Sequence, residues 1–249
     1  MHPALTEVAH RPWALPSTRW TWRQSWVDLL FAHWPVPASA LRPLVPAALA
    51  IDEFEGTSWV GVVPFRMHGV MRRPLPDLPW ISAFPELNLR LYVHADDKPG
   101  VWFISLDAGN FLAVWAARNF FHLPYFNARM NVQLEGERVH YVSERRGAGR
   151  RVAFRGSYWP KGEVRRTRPG SLEYFLTERY CLYAQSRDGT LLRANVHHLP
   201  WPLQDAAADI EENAIAQPQG IELPNTAPLL HFSRRIDVVV WKVEKVGRE

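Results

Sequence analysis

Between residues 84 and 93 the chain reads Phe-Pro-Glu-Leu-Asn-Leu-Arg-Leu-Tyr-Val, with apolar and polar positions alternating. Successive side chains of a strand point to opposite faces. Leu87, Leu89, Leu91 and Val93 therefore share one face, and Glu86, Asn88, Arg90 and Tyr92 the other. The polar row holds an acid, an amide, a guanidinium and a phenol within an aromatic-rich stretch. Two readings follow. The row is the wall of an enclosed polar pocket, or it is a solvent face carrying a Glu86/Arg90 pair.

Similar patterning predicts strands at residues 20–33, 57–67, 101–107, 125–134, 138–145, 152–159, 179–186, 191–197 and 231–246. Gly61 and Pro64 mark a bulge or an edge in the second of these. Turn signals join strands into hairpins at Asp96-Asp97-Lys98-Pro99-Gly100, Glu135-Gly136-Glu137 and Arg187-Asp188-Gly189. A Gly/Arg-rich turn covers residues 145–151. Short helices are predicted at 37–44, at 111–122 behind Asn110, at 172–177 behind Ser171, and at 202–213, where Pro202 fits a first turn. Residues 1–20 read as extended, and the Pro-rich stretch 72–85 as a loop or arm.

Strands seldom alternate with long helices here, which argues against Rossmann and TIM topologies. The expected fold is mainly β: a closed or nearly closed antiparallel or mixed β-barrel with peripheral helices. No linker divides the chain, so one domain is expected over residues 1–249, with an arm at 1–19 and a barrel core at 20–246.

Composition narrows the function classes. Of 249 residues, 47% are hydrophobic and 22% charged, enough for a sizeable core. A net charge of +4 is too small to imply nucleic acid, and the arginine-rich stretches around 145–151 and 165–168 have no aromatic stacking platform beside them. Cys181 is the only cysteine, so an intrachain disulfide is impossible. The start of the chain lacks a basic segment followed by an apolar run. The most apolar stretch, 26–36, contains Asp28 and His33 and is too short to span a bilayer. A cytoplasmic protein is expected, with no membrane or nucleic-acid partner. The P-loop, GxGxxG, HExxH and GxSxG patterns are missing.

Several side chains carry two readings. His197 and His198 are adjacent on a strand and point to opposite faces, so at most one reaches the interior. With His33 or Glu178 it would make a metal site, but no ligand spacing supports one, and a buried structural histidine is expected. Glu178 is an internal acid or a solvated helix end. Arg179 is free to pair with a surface acid. Asp107 and Asn110 suit helix capping. Arg118 is a snorkelling surface residue or an anion anchor.

Four stretches in register carry a family resemblance: His33-Trp34-Pro35-Val36; Phe84-Pro85-Glu86-Leu87-Asn88-Leu89-Arg90; Ser105-Leu106-Asp107-Ala108 with Leu123-Pro124-Tyr125; and Glu178-Arg179-Tyr180 with His198-Leu199-Pro200-Trp201-Pro202-Leu203. Together they resemble the YqjF-like uncharacterised family, domain of unknown function 2071, over roughly residues 20–245. More distantly the chain resembles acetoacetate decarboxylase. That resemblance implies a cone-shaped β-barrel with an internal ligand pocket. It also implies a Schiff-base lysine activated by a neighbouring lysine, with glutamates and an arginine around it. On the match of residues 117–126, Tyr125 and Phe126 stand where the lysine pair would be, Arg118 matches the arginine and Glu86 a pocket glutamate. A phenol and a phenyl ring form no imine, and Lys98, Lys161, Lys242 and Lys245 offer no obvious substitute.

The leading functional expectation is an enzyme without metal or cofactor, acting on a small carboxylate or carbonyl compound. Glu86, Tyr125 and His198 would be catalytic. Arg90 or Arg118 would hold the anion, with Asn88, Glu178 and His33 completing the binding surface. The alternatives are a ligand-binding barrel without chemistry, and a partner-binding protein using residues 72–85 as its contact surface. A homo-oligomer is left open.

Overall fold

A computed structural model describes residues 2–75, 82–147 and 149–247. Thirteen strands form one mixed sheet. They are β1 (Trp22–Pro35), β2 (Ala50–Ile51), β3 (Trp59–Arg72), β4 (Phe84–Ala95), β5 (Lys98–Ala108), β6 (Tyr125–Glu135), β7 (Arg138–Arg145), β8 (Ala153–Arg165), β9 (Cys181–Gln185), β10 (Leu191–His198), β11 (Leu203–Asn213), β12 (Leu229–Val240) and β13 (Glu244–Lys245). Three short helices, α1 (Ala38–Leu41), α2 (Phe111–Phe120) and α3 (Leu172–Thr177), lie at its margins.

The wall β5-β4-β3-β1-β12 forks at both ends. The first half of β5 pairs with β9 through Val101 and Trp102, while its last residues, Leu106 to Ala108, pair with β6. β12 likewise meets β11 near its start and β10 near its end. One branch, β6-β7-β8-β11, closes over the leucine face of β4. There Leu87, Leu89 and Leu91 pack with Tyr141, Phe154 and Tyr158 in the main apolar core. The other branch, β9-β10, closes over the polar face. The expected ring-closing, mainly β architecture with few short helices is the one observed.

Local chemistry accounts for the wall. β4 turns into β5 through Asp96 and Asp97, both at positive φ, as a two-residue primed hairpin turn requires. Asp28 of β1 is also left-handed, with φ 51°, and it marks a bulge where residues 28–31 lie opposite 63–65 of β3. Pro64 sits in that irregularity, where a missing N–H costs no regular ladder bond. The buried Asp28 carboxylate is held by Arg66 and by Arg234 Nη1 at 2.6 Å. β3 lies between β1 and β4, so the bulge reading holds and the edge reading does not.

Two expected elements differ. Residues 202–213 form no helix but the strand β11, paired along β8 from Leu203 to Asn213. Ala and Glu favour a helix locally, yet Ala206, Ala208 and Ile210 pack on the core at strand spacing, and tertiary pairing overrides propensity. The last predicted strand is divided, with β12 ending at Val240 and β13 resuming at Glu244. Of the Pro-rich stretch 72–85, residues 76–81 lie outside the described residues, as does residue 148 of the Gly/Arg-rich turn.

The N-terminal arm is stitched to the outside of β10. Arg11 donates to Val196 O at 2.5 Å and to Asn195 Oδ1 at 2.9 Å, and His10 stacks on His197. Among the described residues, no helix is long and apolar enough to cross a membrane.

The parallel contact of β5 with β9 depends on Gly100. A Cβ there would lie 2.6 Å from Cys181 Sγ and 2.8 Å from Cys181 O. Gly100→Ala is expected to cost about 1–3 kcal/mol or more, read by urea unfolding. Wild-type stability in that variant would mean that the fork tolerates a wider spacing.

Candidate functional site

β4 projects Glu86, Asn88 and Arg90 into the space between the wall and β9-β10. All three are buried, at 2%, 5% and 7% exposure, which removes the solvent-face reading. They line a cavity of about 340 Å³. Its walls are largely apolar, with Phe65, Trp26, Trp201 and Val240 prominent. Trp26 and Trp201 stack with centroids 5.8 Å apart. Tyr125 and His198 also line it.

Glu86 accepts a hydrogen bond from the Tyr125 hydroxyl at 2.8 Å. Burial drives its pKa up to about 8, against the opposing pull of hydrogen bonds from Tyr125 and Asn88. Glu86 is therefore a neutral acid at pH 7. Burial together with Glu86 also drives the Tyr125 phenol well above its ordinary range. Asn88 leaves its buried Oδ1 without a partner.

Arg90 stands four residues beyond Glu86. In a strand that spacing places the Cα atoms about 13 Å apart. The two form no ion pair, because the i,i+4 pair is a helix neighbour and not a strand one. Arg90 turns instead toward Tyr92. Its Nη2 donates to Leu176 O at 3.3 Å and lies 3.4 Å from the Tyr92 hydroxyl, and its Cζ sits 5.0 Å from the Phe31 ring centre. Among the described residues no carboxylate neutralises it, and its Nε has no acceptor.

Behind Arg90 lies a relay that does not reach the cavity. His33 Nε2 contacts the Tyr92 hydroxyl at 2.6 Å, and that hydroxyl donates to Leu176 O at 2.7 Å. Burial, then Arg90 and His231, keep His33 well below its ordinary pKa, so it is neutral. Gly61 makes room for the ring, since a Cβ there would lie 3.0 Å from it.

His198 faces the cavity and His197 the opposite side, under the arm, as strand alternation requires. The His198 ring stacks on Tyr180 at 4.8 Å and donates from Nδ1 to Leu199 O at 2.7 Å. Burial lowers its pKa, and it too is neutral.

Of the remaining candidates, Glu178 and Arg118 lie outside the cavity. Glu178 is an internal acid whose oxygens are occupied: it accepts from Tyr180 at 2.5 Å and from the Trp201 backbone N–H at 2.9 Å. Arg118, on α2, has an exposed side chain whose Nε donates to Tyr125 O at 2.7 Å. Arg179 borders the cavity but is paired with Asp52 at 2.5 Å. Asn110 caps α2 through Leu112 N. Asp107 caps nothing and instead forms a buried pair with Arg145 at 2.8 Å. Arg145 therefore leaves the set of solvated loop arginines. Strand alternation gives no signal for Trp22 and Trp26 as cavity walls or for Arg145 as the partner of Asp107, and Trp201 enters the sequence reading only within the family motif at 198–203.

Among the described residues, no lysine lines the cavity. Tyr125 and Phe126 begin β6, and the Tyr125 phenol is committed to Glu86.

Comparison with known proteins agrees with this architecture. The family model for DUF2071, described as an uncharacterized conserved protein, matches residues 23–237. The uncharacterized protein YqjF of Bacillus subtilis (strain 168) is 45% identical over 232 residues, covering 93% of this chain and 95% of that one. Acetoacetate decarboxylase from Legionella pneumophila shares the fold at a TM-score of 0.64 and 13% identity, over 94% of this chain and 93% of that one. The enduracididine biosynthesis enzyme MppR, in complex with pyruvate, matches at 0.62 and 10% identity, over 99% and 98% of the two chains.

Proposed function

The chain belongs to the DUF2071 family, and from the contents of its cavity we propose that it binds a carboxylate in this ring and acts on it by acid–base chemistry without a Schiff base. The observation that carries this reading is a buried guanidinium with no carboxylate partner among the described residues, on the same strand face as a glutamic acid that burial keeps protonated. An uncompensated buried cation is costly, and an anionic ligand supplies the missing charge. Arg90 is the anchor. Glu86, neutral below pH 8, is the proton donor or hydrogen-bond donor to a carbonyl oxygen. Tyr125 orients Glu86 through its hydroxyl. His198, neutral and lining the same cavity, is the second proton carrier. Enolisation, hydration–dehydration and a retro-aldol step are the reactions that such a pair serves. The pyruvate held by MppR and the activity named for the Legionella protein fit a carboxylate with a nearby carbonyl, although the lysine chemistry does not carry over.

The test is proton exchange into α-positions of oxo-carboxylates in D2O, followed by NMR. Glu86→Gln is expected to lower exchange by at least about 10²-fold with binding retained. Exchange that is undetectable in the wild type while binding persists would favour the non-catalytic binding barrel.

A further inference from the structure

The cavity is too long and too apolar for the three- or four-carbon acids that its polar groups alone would suggest. Its volume of about 340 Å³ equals roughly eleven waters at about 30 Å³ each. Glu86 and Arg90 have Cα atoms about 13 Å apart, and the guanidinium is turned away from the acid, toward Tyr92 and Leu176. A four-carbon acid, about 5 Å long at roughly 1.5 Å per bond, does not span that distance. Asn88 stands between them, and the facing and outer walls are aliphatic and aromatic.

The cavity also reaches the surface through an apolar rim. Leu75, Leu112 and Phe120 line it while remaining 54%, 45% and 43% exposed. Phe120 packs beside Trp22 at 6.1 Å, and Arg72 lies over both rings, at 5.2 Å and 5.9 Å. A ring of large apolar side chains kept in water at the mouth of a cavity has a use when a ligand covers it. Glu86, Asn88 and Arg90 are deep, and the rim is apolar apart from Arg72 and Gln24, so most of the apolar surface lies toward the mouth.

We infer that the ligand is a medium-chain amphiphilic carboxylate, its acid on Arg90, its chain along the Phe65–Trp201–Val240 walls and its tail at the Leu75–Leu112–Phe120 rim. This rests on the carboxylate reading of Arg90 given above and adds the chain. Each methylene that enters the cavity leaves water, which strengthens binding roughly three- to fourfold.

Trp22, Trp26 and Trp201 line the cavity, so ligand binding is read by their fluorescence. The probes are the straight-chain carboxylates from butyrate to decanoate, below their micellar concentrations, together with octanamide. Kd is expected to fall roughly three- to fourfold per carbon, and octanamide to bind at least tenfold more weakly than octanoate. Leu112→Glu, at an exposed rim position, is expected to weaken decanoate several-fold and leave butyrate unchanged. Carboxylate binding that is independent of chain length overturns the amphiphile inference and leaves the Arg90 reading standing. Equal loss of decanoate and butyrate in Leu112→Glu also overturns it. Equal binding of octanamide and octanoate, or no binding by any carboxylate, overturns the Arg90 reading and this inference with it.

Discussion

Arg90→Met is expected to weaken carboxylate binding by roughly 30-fold or more while making the ligand-free protein more stable. Arg90 is 7% exposed, has no acid partner among the described residues and leaves Nε without an acceptor. Its folded-state contacts are two weak hydrogen bonds and the faces of Phe31 and Tyr92. Methionine is unbranched, reaches about as far as the arginine Nε and keeps apolar packing toward Phe31. Nothing is orphaned by the change: Leu176 O still receives the Tyr92 hydroxyl, and that hydroxyl still faces His33 Nε2. Removing an unpaired buried charge is therefore expected to raise stability by about 1–3 kcal/mol in urea unfolding. Among the described residues, binding loses the one buried cation of the cavity that no carboxylate pairs, since Arg179 is held by Asp52; the effect is about 2–5 kcal/mol, or roughly 30- to 5,000-fold in Kd by calorimetric titration. A variant that loses more than about 2 kcal/mol of stability yet keeps its affinity would make Arg90 a structural residue. The opposite signs of the two effects separate a functional charge from a structural one.

Much of this site is legible in the sequence because strand alternation is a strict rule. Period two placed Glu86, Asn88 and Arg90 on one face, and the three do line one cavity. The same rule separated His197 from His198. What alternation leaves open is what stands opposite a face, since that depends on pairings far apart in the chain. Tyr125 reaches Glu86 because β6 starts beside the end of β5, a parallel contact that no hairpin signal announces. Arg145 meets Asp107 by the same route. Arg118 and Glu178 were grouped with the cavity through residue type and family resemblance. The fold puts the first on an outer helix and surrounds the second with donors at the junction of α3 and β9. The misread strand β11 has a related cause. Its Ala- and Glu-rich composition favours a helix in isolation, and only the presence of β8 and β12 on either side makes it a strand.

Glu86→Gln is expected to remove most of the fall in stability between pH 4.5 and 8. Glu86 has its folded pKa raised from 4.5 to about 8 by burial. Below about pH 4.5 the acid is protonated in both folded and unfolded chains, and the full stabilising contribution of the neutral form is present. As pH rises from 4.5 toward 8, the unfolded chain releases the proton and the folded chain retains it. The unfolded state then binds fewer protons, and stability falls by about 1.4 kcal/mol per pH unit. Across the window the loss is on the order of 5 kcal/mol. Glutamine keeps the hydrogen bond from Tyr125 and has nothing to ionise. The variant is expected to match the wild type within about 1 kcal/mol near pH 5 and to exceed it by roughly 4–5 kcal/mol at pH 8.5. His33 and His198, both lowered, act in the other direction by losing stability as pH falls below 6.5. They are common to both proteins and cancel in the difference. The measurement is urea unfolding of each protein from pH 5 to 8.5. Parallel curves would mean that Glu86 ionises in the folded state as readily as in water, leaving no neutral acid in the cavity. A difference that opens with the slope of a single proton would identify this carboxyl as the group that the fold holds protonated, ready to give its proton to a bound carbonyl.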